Sequence, residues 1–331
     1  MSLVHSNISI FVPHLGCPNN CSFCNQHHIA RTSIIPDEKT VEDAVAVAKS
    51  SPRYNPATTE IAFFGGSFTA IDREYMLRLL SAAKHFVDAG DVFGIRVSTR
   101  PDAVDGEVLP LLRNYGVTTI ELGAQSMSDE VLSMNERGHS AQDVRDASLL
   151  IKQFGFTLGL QMMTGLYGSD DETDIYTARE LISLSPDCVR IYPTITLKDT
   201  RLATLYNDGK YAPPSLQHAT ELCSEINEMF RKNGIAVIRL GLHTIDEKAY
   251  VAGPWHPAFK ELCDAAVYRK AIEEKLLLKG KYDVFVCPTE LSKAIGQKRS
   301  NIEYFKEKGF SLTVKPDDTL KKYDVLVKGC E

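Results

Sequence analysis

Short apolar runs alternate with stretches of helical period along most of this chain. Ile8–Pro13 reads as a first strand and Thr59–Phe64 as a second, closed by Gly65-Gly66. Phe93–Ser98, Thr118–Gly123, Phe156–Met163, Cys188–Pro193 and Ile235–Leu240 read as the strands that follow. Between them Val41–Lys49, Arg73–Val87, Asp105–Asn114, Glu172–Ser183 and Ser215–Lys232 have helical period. A further helix runs to Gln153 with Ser140 as its N-cap. Six or seven strands alternating with helices predict parallel βαβ units. Runs apolar on both faces, such as Ile61–Phe64, predict a sheet covered by helices. The expected fold class is α/β, a partial (βα)6 TIM-like barrel, in which loops after the strands carry function.

The pattern changes after Gly253. Trp255-His256-Pro257 opens a helix expected to reach about Leu278. Tyr282–Cys287 then reads as a strand, Glu290–Ile295 as a short helix, and Asn301–Lys308 as another. Ser311–Lys315 and Tyr323–Lys328 read as strands. The expected organisation is a barrel over residues 1–245, a linking helical segment over 246–280, and a small α/β cap over 281–331. Trp255, the only tryptophan, is expected to anchor the C-terminal segment by its apolar surface.

Composition narrows the class. At 44% hydrophobic the chain is too apolar to be disordered. No run approaches the roughly 18–20 apolar residues of a membrane helix, so no membrane partner is expected. The start shows no secretory signal, and a cytoplasmic location is expected. The net charge of −6 argues against a protein that coats nucleic acid. It divides unevenly, −8 over residues 1–280 and +2 over 281–331.

Eight cysteines in a reducing compartment point to metal or chemistry rather than disulfides. Cys188, Cys223, Cys263, Cys287 and Cys330 are scattered singly and read as small buried hydrophobes. Cys17, Cys21 and Cys24 sit in a Cys-x3-Cys-x2-Cys run on a loop after the first strand. A loop lets three thiolates turn onto one centre. Structural zinc wants four ligands, and His27 or His28 could complete the set. A four-iron cluster held by three cysteines leaves one iron open to a ligand. The spacing favours the cluster, with zinc as the alternative.

Phe23 precedes the last cysteine, and Gly65-Gly66-Ser67-Phe68 follows the second strand. Ser98-Thr99-Arg100-Pro101-Asp102, Glu121-Leu122-Gly123-Ala124-Gln125-Ser126, Arg137-Gly138-His139 and Met162-Met163-Thr164-Gly165-Leu166 follow in order. As a set these resemble the radical S-adenosylmethionine (SAM) superfamily. The resemblance is to the branch of the Elongator catalytic subunit and oxygen-independent coproporphyrinogen oxidase. Ile191-Tyr192-Pro193-Thr194 and Asp199-Thr200 lean to the Elongator side.

The resemblance implies a barrel of the radical SAM type, with a [4Fe-4S] cluster on Cys17, Cys21 and Cys24. It implies SAM as cofactor, cleaved to a 5′-deoxyadenosyl radical, and an external one-electron donor of flavodoxin or ferredoxin type. Gly65 and Gly66, with Ser67 and Phe68, would meet the SAM amine, the glycines allowing close backbone approach. Arg137 would pair with the SAM carboxylate. Gln125 would meet the ribose or methionine part. Gln161 and Ser98 stand where related enzymes carry acidic residues, so ribose contacts depart from the pattern. No residue is assigned a catalytic role. Glu121 ranks below Gln125 and Arg137. Arg190 and Tyr192 on the sixth strand are expected not to face the interior together, and loop His14 is expected to have no role.

An RNA or tRNA base is the expected substrate. A porphyrin or other small metabolite is the competitor within the enzyme class, and a non-enzymatic metal-bearing RNA adaptor is the reading outside it. The chain is expected to be too short for the Elongator subunit's acetyltransferase domain. In the tail, Ile295-Gly296-Gln297-Lys298-Arg299 before Asn301-Ile302 resembles the core of a KH RNA-binding module. Arg299 takes the place of that module's second glycine. RNA contact through this KH-like cap stands against a plain cap that closes the barrel.

Overall fold

The computed structural model describes residues 5–12, 15, 17, 21–25, 35–242 and 245–330. Strands β1 (Ser6–Val12), β2 (Thr59–Gly65), β3 (Gly94–Thr99), β4 (Val117–Gln125), β5 (Thr157–Thr164), β6 (Cys188–Pro193) and β8 (Ala236–Leu240) form one sheet. Its order is sequential and every pairing is parallel, so it curls into an open half-barrel with β1 and β8 as free edges. The barrel thus has seven strands. Between β6 and β8, β7 (Thr196–Leu197) pairs antiparallel with β9 (Tyr250–Ala252) in a two-stranded ribbon.

Helices cover the convex face: α1 (Glu38–Lys49), α2 (Arg73–Asp88), α3 (Val108–Asn114), α5 (Ala141–Gln153), α6 (Asp171–Ser183) and α8 (Leu216–Lys232). Their starts are set by local chemistry. Asp37, Asp72, Ser140, Asp170 and Ser215 each accept a hydrogen bond from a first-turn N–H. The apolar stripes of these helices meet one face of the strands, with Ile61, Phe63, Ile95, Val97, Ile120 and Leu122 all at 0% exposure in one core. Two short helices, α4 (Asp129–Met134) and α7 (Arg201–Asn207), have no counterpart in the periodicity reading.

The sheet is not apolar on both faces. Its concave face carries charged side chains, and four of them, Glu60, Arg96, Glu121 and Arg190, form a chain of ion pairs. Arg96 bridges Glu60 (2.8 Å) and Glu121 (2.6 Å), and Arg190 grips both Glu121 oxygens, with Nη2 to Oε1 at 2.8 Å. Buried ions persist only when paired, and here each carboxylate has an arginine. Burial pushes the Glu121 carboxyl up, but the Arg190 bonds and the Arg190 and Arg96 charges outweigh it and hold it low.

Arg190 and Tyr192 do share the interior face, since residues two apart on a strand point the same way. The Tyr192 side chain hydrogen-bonds Arg190. The expectation that only one faces inward is corrected accordingly.

The C-terminal module is a three-stranded sheet of order β11 (Ser311–Pro316), β10 (Lys281–Val286), β12 (Val325–Gly329). Strands β10 and β11 are parallel, β10 and β12 antiparallel. Helices α10 (Leu291–Ile295) and α11 (Ser300–Glu307) pack on it. Helix α9 (Phe259–Glu273) is not a simple link. Phe259 and Cys263 lie in the barrel core, and Tyr268 and Ile272 in the module core. It is shorter than its predicted span at both ends. Trp255 packs on Ile195, Leu197 and Tyr250, so it anchors the ribbon rather than the C-terminal segment. Of the single cysteines, Cys188, Cys223 and Cys263 are buried, Cys287 is half-buried and Cys330 exposed. Among the described residues no helix is long and apolar enough to cross a membrane.

Candidate active site

The carboxyl ends of the strands surround one cavity. Its lining includes Cys17, Cys21, Cys24, Gly65, Gly66, Ser98, Gln125, Arg137 and Gln161, nine of the residues singled out from sequence. Phe23, Thr99, Arg100 and Gly123 complete it. Ser67 and Phe68 stand outside this lining. Ser67 is fully buried, with its hydroxyl on Thr99 Oγ1 (2.8 Å) and accepting from the Arg100 N–H (3.2 Å). Phe68 stacks on Phe63 in the core, with centroids 4.7 Å apart. These two support the floor. His14, His27 and His28 lie outside the described residues.

The cysteine loop is tied down from two sides. The Gly66 N–H donates to Val12 O (2.9 Å) and the Ser67 N–H to Leu15 O (3.2 Å). A Cβ at Gly65 would stand 2.4 Å from Val12 O, and one at Gly66 2.2 Å from Leu15 O. Gly65 also has φ +117°, a region side chains rarely adopt. The glycines are therefore needed so that β2 can approach the backbone of the cysteine loop. On the other side, Ser22 Oγ donates to Asn135 Oδ1 (2.6 Å), just past α4, and Leu202 N, in α7, donates to Ser22 O (2.8 Å). Phe23 seats against Leu202, Leu205, Tyr167 and Tyr211. The two helices missed from the sequence thus hold the motif in place.

Two arginines flank the thiols. Arg137 Nη1 donates to Cys21 Sγ (3.2 Å) and Nη2 to Gly123 O (2.7 Å). Its guanidinium lies over the Phe23 ring at 6.0 Å. Arg100 pairs with Asp102, and its Nη1 is buried with no partner among the described residues. Burial, and then the neighbouring Cys21, push the Cys17 thiol up, while Arg100 and Arg137 pull it down. Arg100 was quoted in a motif but given no role. The clue was an arginine directly after a strand, at the mouth of a barrel.

The remaining polar lining is oriented from beneath. Gln161 Nε2 donates to Glu121 Oε2 (3.0 Å) and to Ser98 Oγ (3.4 Å). The ion pairs of the barrel interior therefore fix the amide, leaving its carbonyl for the cavity. Glu121 itself does not line the cavity. Gln125 sits at φ 64° at the end of β4, where a register shift against β5 turns it toward Gly123. Burial and the Arg137 charge bring His139 down to about 4, so its imidazole is neutral at ordinary pH. Its Nε2 lies 3.2 Å from Ala124 O.

The donor set fits a cluster and SAM. Three soft thiols open on one cavity. The orphaned Arg100 Nη1 needs an anionic oxygen, which SAM carries as a carboxylate. The family model of the radical SAM superfamily matches residues 11–181, just over half the chain. The chain belongs to the radical SAM superfamily. The model of the radical SAM C-terminal domain matches residues 186–269.

Among curated relatives, a tRNA uridine(34) acetyltransferase of Dehalococcoides mccartyi (strain CBDB1) is 24% identical over 255 residues, covering 67% of this chain and 56% of that protein. Human Elongator complex protein 3 is 29% identical over 187 residues, covering 50% and 34%. The chain thus spans about half, or less, of the curated relatives named here. Among solved structures, the archaeal Methanocaldococcus infernus Elp3 with an N-terminal deletion superposes with a TM-score of 0.64 at 20% identity, covering 83% of this chain and 65% of that one. That likeness shows the fold. This radical SAM protein is an enzyme by family.

Proposed function

We propose that this radical SAM enzyme carries a [4Fe-4S] cluster on Cys17, Cys21 and Cys24 and acts on a base of RNA, with tRNA as the leading substrate. The observation that carries the cofactor reading is the shared cavity, where three thiols meet Gly65, Gly66 and an arginine with an unpartnered buried nitrogen. Held by Cys17, Cys21 and Cys24, a cluster would pass one electron from a flavodoxin- or ferredoxin-type donor to SAM, which would be cleaved to methionine and a 5′-deoxyadenosyl radical able to take hydrogen from the substrate. The chain's own residues do the positioning. Arg100 Nη1, in place of the Arg137 that the resemblance implies, would hold the carboxylate of the methionine part, since Arg137 already donates to Cys21 Sγ and Gly123 O. The backbone at Gly65 and Gly66 presents carbonyls to its amine. Gln161, oriented by Glu121, and Ser98, to which Gln161 donates, would meet the ribose, and Gln125 closes the wall between. Arg137 donates to Cys21 Sγ and fixes that side chain at the cavity wall.

The RNA reading rests on the name of relatives such as the Dehalococcoides mccartyi protein, a tRNA uridine(34) acetyltransferase. It draws further support from the loop between α10 and α11. There Lys298 (φ 51°) and Arg299 (φ 64°) place two cations in the loop that stands where a KH module has its backbone-clamping GXXG segment. The reducing chemistry suits a cytoplasmic protein.

Anaerobic reconstitution with iron and sulfide tests the reading. The expected result is a brown protein with about four irons per chain that forms 5′-deoxyadenosine from SAM under dithionite. Alanine at Cys17, Cys21 or Cys24 should abolish both. Bound zinc with no SAM cleavage would overturn the enzyme reading. Incubation with pooled tRNA, followed by nucleoside mass spectrometry, tests the substrate. Turnover without any altered nucleoside would remove RNA from the proposal.

A further inference from the structure

The edge strand β8 departs from simple alternation. Its register against β6 runs Val189↔Val237, Arg190↔Arg239, Ile191↔Leu240, with a shift between Val189 and Arg190. One residue, Ile238, is therefore extra, which is the signature of a β-bulge. Paired residues on neighbouring strands point to the same face. Val237 and Leu240 pack with Val189 and Ile191 in the outer core. Without the bulge, Arg239 would follow Val237 outward into that apolar layer. With it, Arg239 joins Arg190 on the concave face, and half-exposed Ile238 takes up the slack (43% exposure). Tyr192 and both guanidinia act on one another there.

Arg239 is the residue left over on that face. The carboxylates of Glu60 and Glu121 serve Arg96 and Arg190. Arg239 has no hydrogen-bond or ion-pair partner among the described residues. Burial and the like charge of Arg190 work against its own charge, so the site favours an arriving anion. It stands at the open edge of the half-barrel. Arg190 lies directly between it and Gln161 in register, and Gln161 lines the cavity. Arg239 thus lies on the concave face two strands along from a residue that lines the cavity.

We infer that Arg239 receives a phosphate of the substrate, the one flanking the nucleoside that reaches the cavity; this rests on the RNA reading above. A guanidinium presents paired N–H donors that match the oxygens of a phosphodiester. Phosphate oxyanions also occur on free nucleotides, so the test has an arm for each source. Labelled pooled tRNA is titrated by fluorescence anisotropy against the reconstituted full chain at several KCl concentrations. The proteins are wild type, Arg239→Gln, Arg239→Lys, and Lys84→Gln as a control on the remote helix α2.

Arg239→Gln should bind several-fold more weakly, with a salt slope shallower by about one, since one phosphate contact is lost. Arg239→Lys should recover part of the affinity, which also guards against a folding defect. Adenosine 5′-monophosphate, followed by calorimetry, is the second arm. A loss there with tRNA binding unchanged keeps the phosphate site and gives it to a free nucleotide. No change in either arm, or an equal loss in Lys84→Gln, overturns the inference. Failure of the radical reading registers separately, as absence of 5′-deoxyadenosine from the wild-type protein.

Discussion

Glu60 offers the sharpest test of the electrostatics inside the barrel, because it sits away from the cavity. Its carboxylate is fully buried at the start of β2. It accepts from Arg96 Nε (2.8 Å), Thr118 Oγ1 (2.6 Å) and Thr119 Oγ1 (2.7 Å), and lies 2.7 Å from His5 Nε2. Burial alone would raise its pKa. The His5 bond, the Arg96 charge and the two hydroxyls reverse this and bring it from 4.5 to about 2. At about 1.4 kcal/mol per unit, the ionised form favours the fold by about 3 kcal/mol.

The sign follows from the depression. The contribution is complete above the unfolded value of 4.5 and is lost as pH falls toward the folded value of about 2. Glu60→Gln keeps the shape but removes the charge and sets an NH2 against donors. It should lose about 3 kcal/mol at pH 7, the range for breaking one partner of a buried pair. Urea unfolding followed by circular dichroism at pH 7, 5 and 3 measures this. The gap between the two proteins should hold from pH 7 to 5 and shrink to roughly half by pH 3. A gap under about 1 kcal/mol at pH 7, or one of the same size at pH 3, would refute the reasoning.

Two further tests address the site. Gly65→Ala places a Cβ 2.4 Å from Val12 O at φ +117°, whereas a Cβ at Gly90 (φ +72°) meets nothing within 4 Å. Gly90→Ala should cost about 1–2 kcal/mol of left-handed strain. Gly65→Ala should cost clearly more in thermal unfolding, and equal shifts would dismiss the close approach. Arg100→Gln should weaken SAM binding by about tenfold or more, as expected for a lost charge-assisted hydrogen bond. An unchanged affinity in anaerobic calorimetry would show that the orphaned nitrogen is not the carboxylate's partner.

The strands were legible because their outer faces are apolar and their ends carry turn residues. β6 appears over the predicted residues, and Ser140 and Ser215 cap the helices they precede. Local chemistry decides such features. The interior ion pairs were not read, although each of four strands shows one charge among apolar neighbours. Pairing between Glu60, Arg96, Glu121 and Arg190 depends on sheet order, which periodicity does not carry. Arg190 and Tyr192 share a face because the side-chain period of a strand is two residues. Helices α4 and α7 span six and seven residues, too short for a stripe to declare itself. The three cysteines and the glycine pair were readable because coordination and close approach demand particular residue types. Ser67 and Phe68 shared that motif, but their neighbours in space turned them inward as supports.

Helix α9 is a keystone. With Phe259 and Cys263 in one core and Tyr268 and Ile272 in the other, removal of residues 281–331 would strand half of its apolar surface in water. The C-terminal sheet is therefore not a detachable accessory, and grafting it elsewhere requires carrying the helix along. The same helix packs on α8, which lies behind the open edge strand β8. One helix therefore ties the C-terminal sheet, through α8, to the open edge of the half-barrel.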